Sequence, residues 1–335
     1  MIKQVRTPHY NYDFDTTTGY FARWGATKDV DPCVAPAPEI LDLEISEVCH
    51  GLGNPCPWCY KSNTAIGRRM DFDTFRVIID KMPPNLTQVA FGIGDIYGHD
   101  DMWRMFDYCR NSGRTIIPNV TTNGFGLTDE IAAKLKMYCG AVAVSRYGTG
   151  DTCYNAVQRL TNLGMAQVNI HMLVAKETLA DCIKTIDDIK IDPRLAKLNA
   201  IVFLTLKNKG MRNTFHTVDD AEYATIVNKC LANKINFGFD SCSANRFLRV
   251  ADTLGCRSLY STLAEPCEST LFSSYINVDG KFFPCSFTEG CGGWRDGLDV
   301  LACQDFVNDI WNHPRTLAFR SNLLQCGRDC PLYKI

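Results

Sequence analysis

The chain has almost no excess of either charge: 35 Lys and Arg stand against 37 Asp and Glu, a formal net charge of −2 over 335 residues. That balance gives no broad basic surface for nucleic acid or anionic lipid. No stretch approaches the roughly eighteen consecutive apolar residues of a membrane helix. The opening MIKQVRTPHYNYDF also lacks the apolar segment of a secretory signal. A cytoplasmic chain with no membrane partner is the expectation. Repeats of solenoid length and low-complexity tracts are missing too, so the fold must be read from local periodicity.

Cysteine, in contrast, is abundant, with seventeen residues. A reducing compartment keeps thiols free, and a chain of this length with 46% apolar residues can bury a core without disulfide staples. Metal binding is the expected use. Cys109, Cys139, Cys182 and Cys230 lie inside apolar periodic segments and read instead as small core hydrophobes.

From residue 40 a strand and helix rhythm begins. ILDLEI (40–45), TQVAFG (87–92), TIIPNVTT (115–122), AVAVS (141–145), VNIHMLV (168–174) and AIVFLTL (200–206) read as strands. Pro118 places a bulge or a strand start in the third. A helical pattern follows each except the first, whose helix (71–82) comes after a long loop. Six βα units imply a mostly parallel sheet covered by helices, either open or closed into a barrel, with chemistry at the carboxyl ends of the strands. Before this series, residues 10–24 read as an aromatic-rich hairpin around TTTG. After about residue 240 the rhythm fails. A Cys-, Gly- and Ser-rich tail with a hairpin signal at Asp279-Gly280 is expected to be held by ligands rather than by a large core.

The loop CHGLGNPCPWCY (49–60) follows the first barrel-type strand and spaces Cys49, Cys56 and Cys59 as C-x6-C-x2-C. Three thiolates suit zinc or an iron-sulfur cluster, and His50 offers zinc a fourth ligand. A 4Fe-4S cluster with only three protein thiolates keeps one iron open to another molecule. The loop resembles the radical SAM superfamily, in which three cysteines follow the first strand with an aromatic residue before the last, here Trp58. The spacing departs from the commonest form by three extra residues, and Gly51, Gly53 and Pro55 suit the wider turn.

The resemblance extends in order along the strand ends over about residues 40–240. FGIGD places Gly94 and Asp95 at the Gly-Gly-Glu-like position that receives the amino group of S-adenosylmethionine. TTNG offers Asn123, the fourth strand ends in Ser145 and Arg146 at positions for ribose hydroxyls and carboxylate, and Val174 stands where an apolar residue packs on adenine. In the tail, Cys267 and Cys285 bracket Gly280 as C-x12-G-x4-C, which resembles the auxiliary-cluster motif of the SPASM and twitch subfamilies. Cys326 and Cys330 complete a four-thiolate set for one auxiliary 4Fe-4S cluster, with Cys242 or Cys291 as replacements. A structural zinc site is the alternative for these thiols.

The resemblance therefore implies a partial (β/α)6 TIM-type barrel at 40–240, an N-terminal hairpin or cap at 1–39 and an auxiliary extension at 241–335. It implies an oxygen-sensitive enzyme with a 4Fe-4S cluster and S-adenosylmethionine, reduced by a donor such as flavodoxin or ferredoxin. The implied chemistry is reductive cleavage to a 5′-deoxyadenosyl radical, which abstracts hydrogen from a substrate. Cys242 is a candidate hydrogen donor. Asn169 and His171 face inward if Val168, Ile170, Met172 and Val174 face the helices, and His171 is a candidate at the substrate. A peptide or protein side chain is the preferred substrate, although 39 residues before the first strand are few for a leader-recognition domain. A small metabolite or modified nucleoside is the alternative, and a non-enzymatic electron carrier or zinc-stabilised binding protein the reading from another class.

Overall fold

A computed structural model describes all 335 residues. Strands β1 (Ile2–Arg6), β2 (Asn11–Asp15) and β3 (Phe21–Trp24) form an antiparallel sheet, so the expected hairpin gains a third strand. Periodicity misses β1 because IKQVR buries no side chain and is held by backbone pairing to β2. On β2 the alternation is clear. Tyr12 and Phe14 are fully buried, and the Tyr12 hydroxyl donates to the Asn85 carbonyl at 2.7 Å. Asn85 precedes the second barrel strand, so the small sheet closes the amino end of the barrel.

The barrel alternates β4 (Ile40–Glu44), α1 (Phe72–Lys81), β5 (Gln88–Gly92), α2 (Met102–Asn111), β6 (Ile117–Thr122), α3 (Asp129–Tyr138), β7 (Ala141–Ser145), α4 (Asp151–Asn162), β8 (Val168–Val174), α5 (Leu179–Ile191), β9 (Ala200–Thr205) and α6 (Asp220–Asn233). These are the six expected units. Local chemistry starts the helices: Asp71 and Thr128 accept the Thr74 and Ile131 backbone N–H groups, and Asp219 forms a capping box with Glu222. Phe75, Ile78 and Ile79 then bury one face of α1, each contributing about 1.5–3 kcal/mol.

Strands β4 to β9 pair in parallel and in chain order, with β10 (Phe237–Phe239) added at the edge of β9. Side chains from all of β4 to β9 line one interior cavity, so the sheet curves into a partial barrel. Cys109, Cys139, Cys182 and Cys230 are buried apolar residues as expected.

The tail departs from expectation. Helices α7 (Ala244–Thr253) and α8 (Arg257–Tyr260) continue past residue 240. Strand β11 (Ser273–Ile276) then inserts beside β4 in parallel, followed by antiparallel β12 (Lys281–Phe283), β13 (Leu298–Asp299) and helix α9 (Pro314–Gln325). Phe272, Ile276, Phe282, Trp311 and Leu323 belong to the same hydrophobic core as the barrel. Apolar packing thus supports the tail, which was expected to rest on ligands. The Asp279-Gly280 hairpin is as expected, with Gly280 at φ 72°. No helix is long and apolar enough to cross a membrane.

Candidate active site

Inward and outward positions alternate along every barrel strand, and the inward set leaves a cavity of about 680 Å³. Ala90, Gly92, Ala141 and Ala143 keep its walls thin. The cysteine loop stands over its carboxyl end. Pairing of Ser46 with Arg69 and of Val48 with Thr64 closes the base of that loop. Gly51 adopts φ 62°, and the Cys49 sulfur accepts its N–H at 3.4 Å.

Cys49, Cys56 and Cys59 all reach the cavity. Burial raises the Cys49 thiol and pushes Cys56 up to about 11, and the neighbouring thiols add to both shifts. Trp58 packs on Tyr147 and Phe215, with centroids 5.4 and 4.9 Å away. Arg212 donates to the Ser62 and Asn63 carbonyls at 3.1 and 2.8 Å, pinning the far side of the loop.

Of the other candidates, Gly94, Asn123, Ser145 and His171 line the same cavity. Gly94 packs so closely under the loop that a Cβ there would sit 1.9 Å from the Val48 carbonyl oxygen and 2.5 Å from the Cys49 Cβ. Asn123 donates to the Gly51 carbonyl at 3.1 Å. Asp95 does not line the cavity. Its fully buried carboxylate accepts the His50 backbone N–H at 3.1 and 3.2 Å and meets His50 Nδ1 at 2.6 Å. It therefore holds the cysteine loop, where direct contact with an amino group was expected.

Arg146 also turns away from the cavity, toward Asp181 at 3.1 Å and the Gly148 carbonyl at 2.8 Å. Val174 is buried on the helix side of β8, because strand parity places Asn169, His171 and Leu173 inside. Leu173 is the apolar residue that strand presents to the cavity.

Further residues of the wall went unnoticed in the sequence. Glu44 on β4 lies 3.0 Å from Lys61, which also pairs with Glu289, and Tyr275 donates to Glu44 at 3.0 Å. Burial opposes the charge on Lys61, but the two carboxylates outweigh it and hold its pKa up. Lys207 pairs likewise with Asp240. Asp42 and His171 face the cavity without partners. Burial raises Asp42 to about 6 and lowers His171 to about 4. The signal for Asp42 and Glu44 was present in ILDLEI, where charge alternates with Leu41 and Leu43.

In the tail, Cys242 and Cys267 are close enough to bias each other's titration, lowering the Cys242 pKa and raising that of Cys267. Lys207 also favours the Cys242 thiolate. Cys285 is pushed up to about 11 by burial and by the nearby Cys242, and Cys330 is raised by burial with Cys242 again in reach. The Cys330 sulfur accepts the Tyr333 N–H at 3.4 Å. Cys326 is exposed at the end of α9. Cys291 instead contacts the Tyr333 hydroxyl at 3.6 Å. Cys242, rather than Cys326, is thus the cysteine that stands near Cys267, Cys285 and Cys330, and it is not among the residues lining the cavity, where a hydrogen donor was expected.

No group of three or more His, Cys, Asp and Glu side chains stands ready for a single metal ion. A four-iron cube holds its thiolates at its corners, farther apart than the ligands of one ion. Loop thiols over one cavity, and four tail thiols within electrostatic reach of one another, have the donor chemistry for such cubes.

No protein-family profile matches the sequence, and no curated protein matches it either. Solved structures do match. Streptococcus suis SuiB bound to S-adenosylmethionine superposes with a TM-score of 0.67 at 14% identity, covering 86% of this chain and 69% of that one. SuiB bound to the precursor peptide SuiA gives the same TM-score and identity, over 86% and 68%. The native anSMEcpe with bound AdoMet and Cp18Cys peptide gives 0.59 at 16% identity, over 84% and 82%. The chain has the radical SAM fold. In this chain the loop bearing Cys49, Cys56 and Cys59 stands at the carboxyl mouth of the barrel, above the cavity.

Proposed function

We propose that this protein is a radical SAM enzyme that modifies a peptide or protein side chain. The observation that carries the reading is the convergence of Cys49, Cys56 and Cys59 on the mouth of a barrel cavity of about 680 Å³, lined by both apolar and polar side chains and large enough for a second molecule. Cys49, Cys56 and Cys59 would hold a 4Fe-4S cluster, with S-adenosylmethionine beside it along Gly94, Asn123 and Ser145. When bound, that pair supplies a 5′-deoxyadenosyl radical able to take hydrogen from an unactivated carbon. The electron comes from a reducing partner such as flavodoxin or ferredoxin.

The chain's own residues do the rest. Asp95 and His50 fix the loop, and Gly94 lets it sit close on β5. Trp58, Tyr147 and Phe215 wall the mouth against water, which a radical step requires. Cys242, Cys267, Cys285 and Cys330 would hold one auxiliary 4Fe-4S cluster in the tail, with the Lys207 ammonium beside it to offset negative charge.

A peptide substrate is supported by the peptides bound to SuiB and anSMEcpe. A cavity of this volume, with polar groups set among apolar ones, also suits a small metabolite or modified nucleoside, which is the second reading. An electron carrier or a zinc-stabilised binding protein has no use for a cavity of this kind at the cluster loop. The test is to incubate reduced, anaerobic protein with S-adenosylmethionine and measure 5′-deoxyadenosine. Formation in wild type and its loss in Cys56→Ala are expected. No product from a protein with an intact, reducible cluster overturns the reading.

A further inference from the structure

We propose that Asp42 anchors a protonated amine of the substrate inside the barrel, so that the molecule acted on carries an alkylammonium group. This deepens the reading above and rests on it, because it takes the cavity as the substrate site.

Six ionisable side chains other than cysteine and tyrosine line the cavity: Asp42, Glu44, Lys61, His171, Lys207 and Asp240. Both cations are committed, Lys61 to Glu44 and Glu289, and Lys207 to Asp240. Glu44 has Lys61 and the Tyr275 hydroxyl. His171 is kept neutral at physiological pH by burial. Asp42 alone among the charged groups has neither a counter-ion nor a hydrogen bond; burial is the only influence on its titration. An unpaired carboxylate on the wall of a partly buried cavity is costly and is satisfied by a cation with donor hydrogens.

Position supports the same assignment. Asp42 is in register with Ala90 on β5 and Tyr275 on β11, while Glu44 is in register with Gly92. Asp42 thus lies about 7 Å nearer the amino end than Glu44, at about 3.3 Å per residue. Gly94 and the cysteine loop lie on the other side of Glu44. The carboxylate is therefore below the level of the loop, where a molecule held beside the cluster would leave room for a second. Ala90, beside it in register, leaves space, and elsewhere on the wall Asn169 and the unpartnered His171 ring offer neutral hydrogen-bonding groups. The wall has one carboxylate in excess and no free cation, which favours an ammonium over a carboxylate or phosphate.

The test uses the cluster-loaded, S-adenosylmethionine-bound protein and three probes of equal length: n-pentylammonium, 1-pentanol and pentanoate. Calorimetry or ligand-observed NMR should show the ammonium binding at least about tenfold tighter than the alcohol, with pentanoate weakest. Asp42→Asn should abolish that preference and leave the affinity for S-adenosylmethionine unchanged; Asp42→Ser is the second variant should the first fail to fold. Equal binding of amine and alcohol to wild type, or a preference that survives both substitutions, overturns the proposal. Weakened S-adenosylmethionine binding in Asp42→Asn also overturns it, by assigning the carboxylate to the cofactor. Failure of wild type to bind or cleave S-adenosylmethionine would instead overturn the reading on which the proposal rests.

Discussion

His50 and Asp95 meet at 2.6 Å across the start of the cysteine loop, and the same carboxylate accepts the His50 backbone N–H. One buried group thus ties the end of β5 to the residue that follows Cys49. Asp95→Asn keeps the shape but replaces one acceptor oxygen by an N–H2 group facing another donor. Supports of this kind are worth about 10–100-fold in metal affinity. Iron at the loop should therefore be stripped that much more readily by a chelator under anaerobic conditions. If iron retention is unchanged and only the dissociation constant for S-adenosylmethionine rises, Asp95 contacts the cofactor directly.

The tail offers a comparison between two cysteines. Cys242 lies beside Cys267 and within reach of Cys285 and Cys330, whereas Cys326 is exposed. Wild type loaded with two four-iron cubes should contain about eight irons per chain. Cys242→Ala should lose close to half of that iron and the matching Mössbauer signal, and Cys326→Ala should lose none. The reverse pattern would restore Cys326 to the ligand set.

Much of this architecture was legible because strand and helix periods are local. Ile40 to Leu206 announced six βα units, and spacing alone singled out the cysteine loop. Partnerships between distant segments were not legible. Nothing in SSYI says that β11 will insert beside β4, and Lys61 is 228 residues from Glu289. Helix α7 was hidden because a tail rich in Cys, Gly and Ser masked the apolar spacing of Phe247, Val250 and Ala251. The assignment of Val174 to the cavity failed on strand parity: His171 and Val174 are three apart, so they cannot share a face. Arg146 and Asp95 were read for what their charges could bind, but the structure gives those charges partners within the protein.

Lys61 sits between Glu44 and Glu289, and its side chain is 11% exposed. Lys61→Met keeps most of the volume and removes the counter-charge from two carboxylates. Breaking a buried ion pair from one side costs about 3–5 kcal/mol. Denaturant unfolding at pH 7 should show a loss of that size, with part of it recovered in the double variant Lys61→Met/Glu44→Gln. A loss below about 1 kcal/mol would mean that cavity water already screens the pair.

Asp42 should reveal its lack of a partner through pH. Its carboxyl titrates at about 6 in the folded chain against 3.8 for the ordinary side chain, because burial penalises the ionised form. Between those values the folded state holds more proton than the unfolded state, so stability falls as pH rises through this window and the full penalty is present above it. The size is about 1–3 kcal/mol, allowing for water in the cavity. Asp42→Asn should therefore stabilise the free protein by that amount at pH 7 to 8, and the gain should vanish below about pH 4. His171, lowered to about 4, acts in the opposite direction as pH falls below 6.5 in both proteins, so it cancels from the difference. A substitution that destabilises at neutral pH would show that the carboxylate is already satisfied within the fold and would remove the reason to assign it a cationic ligand.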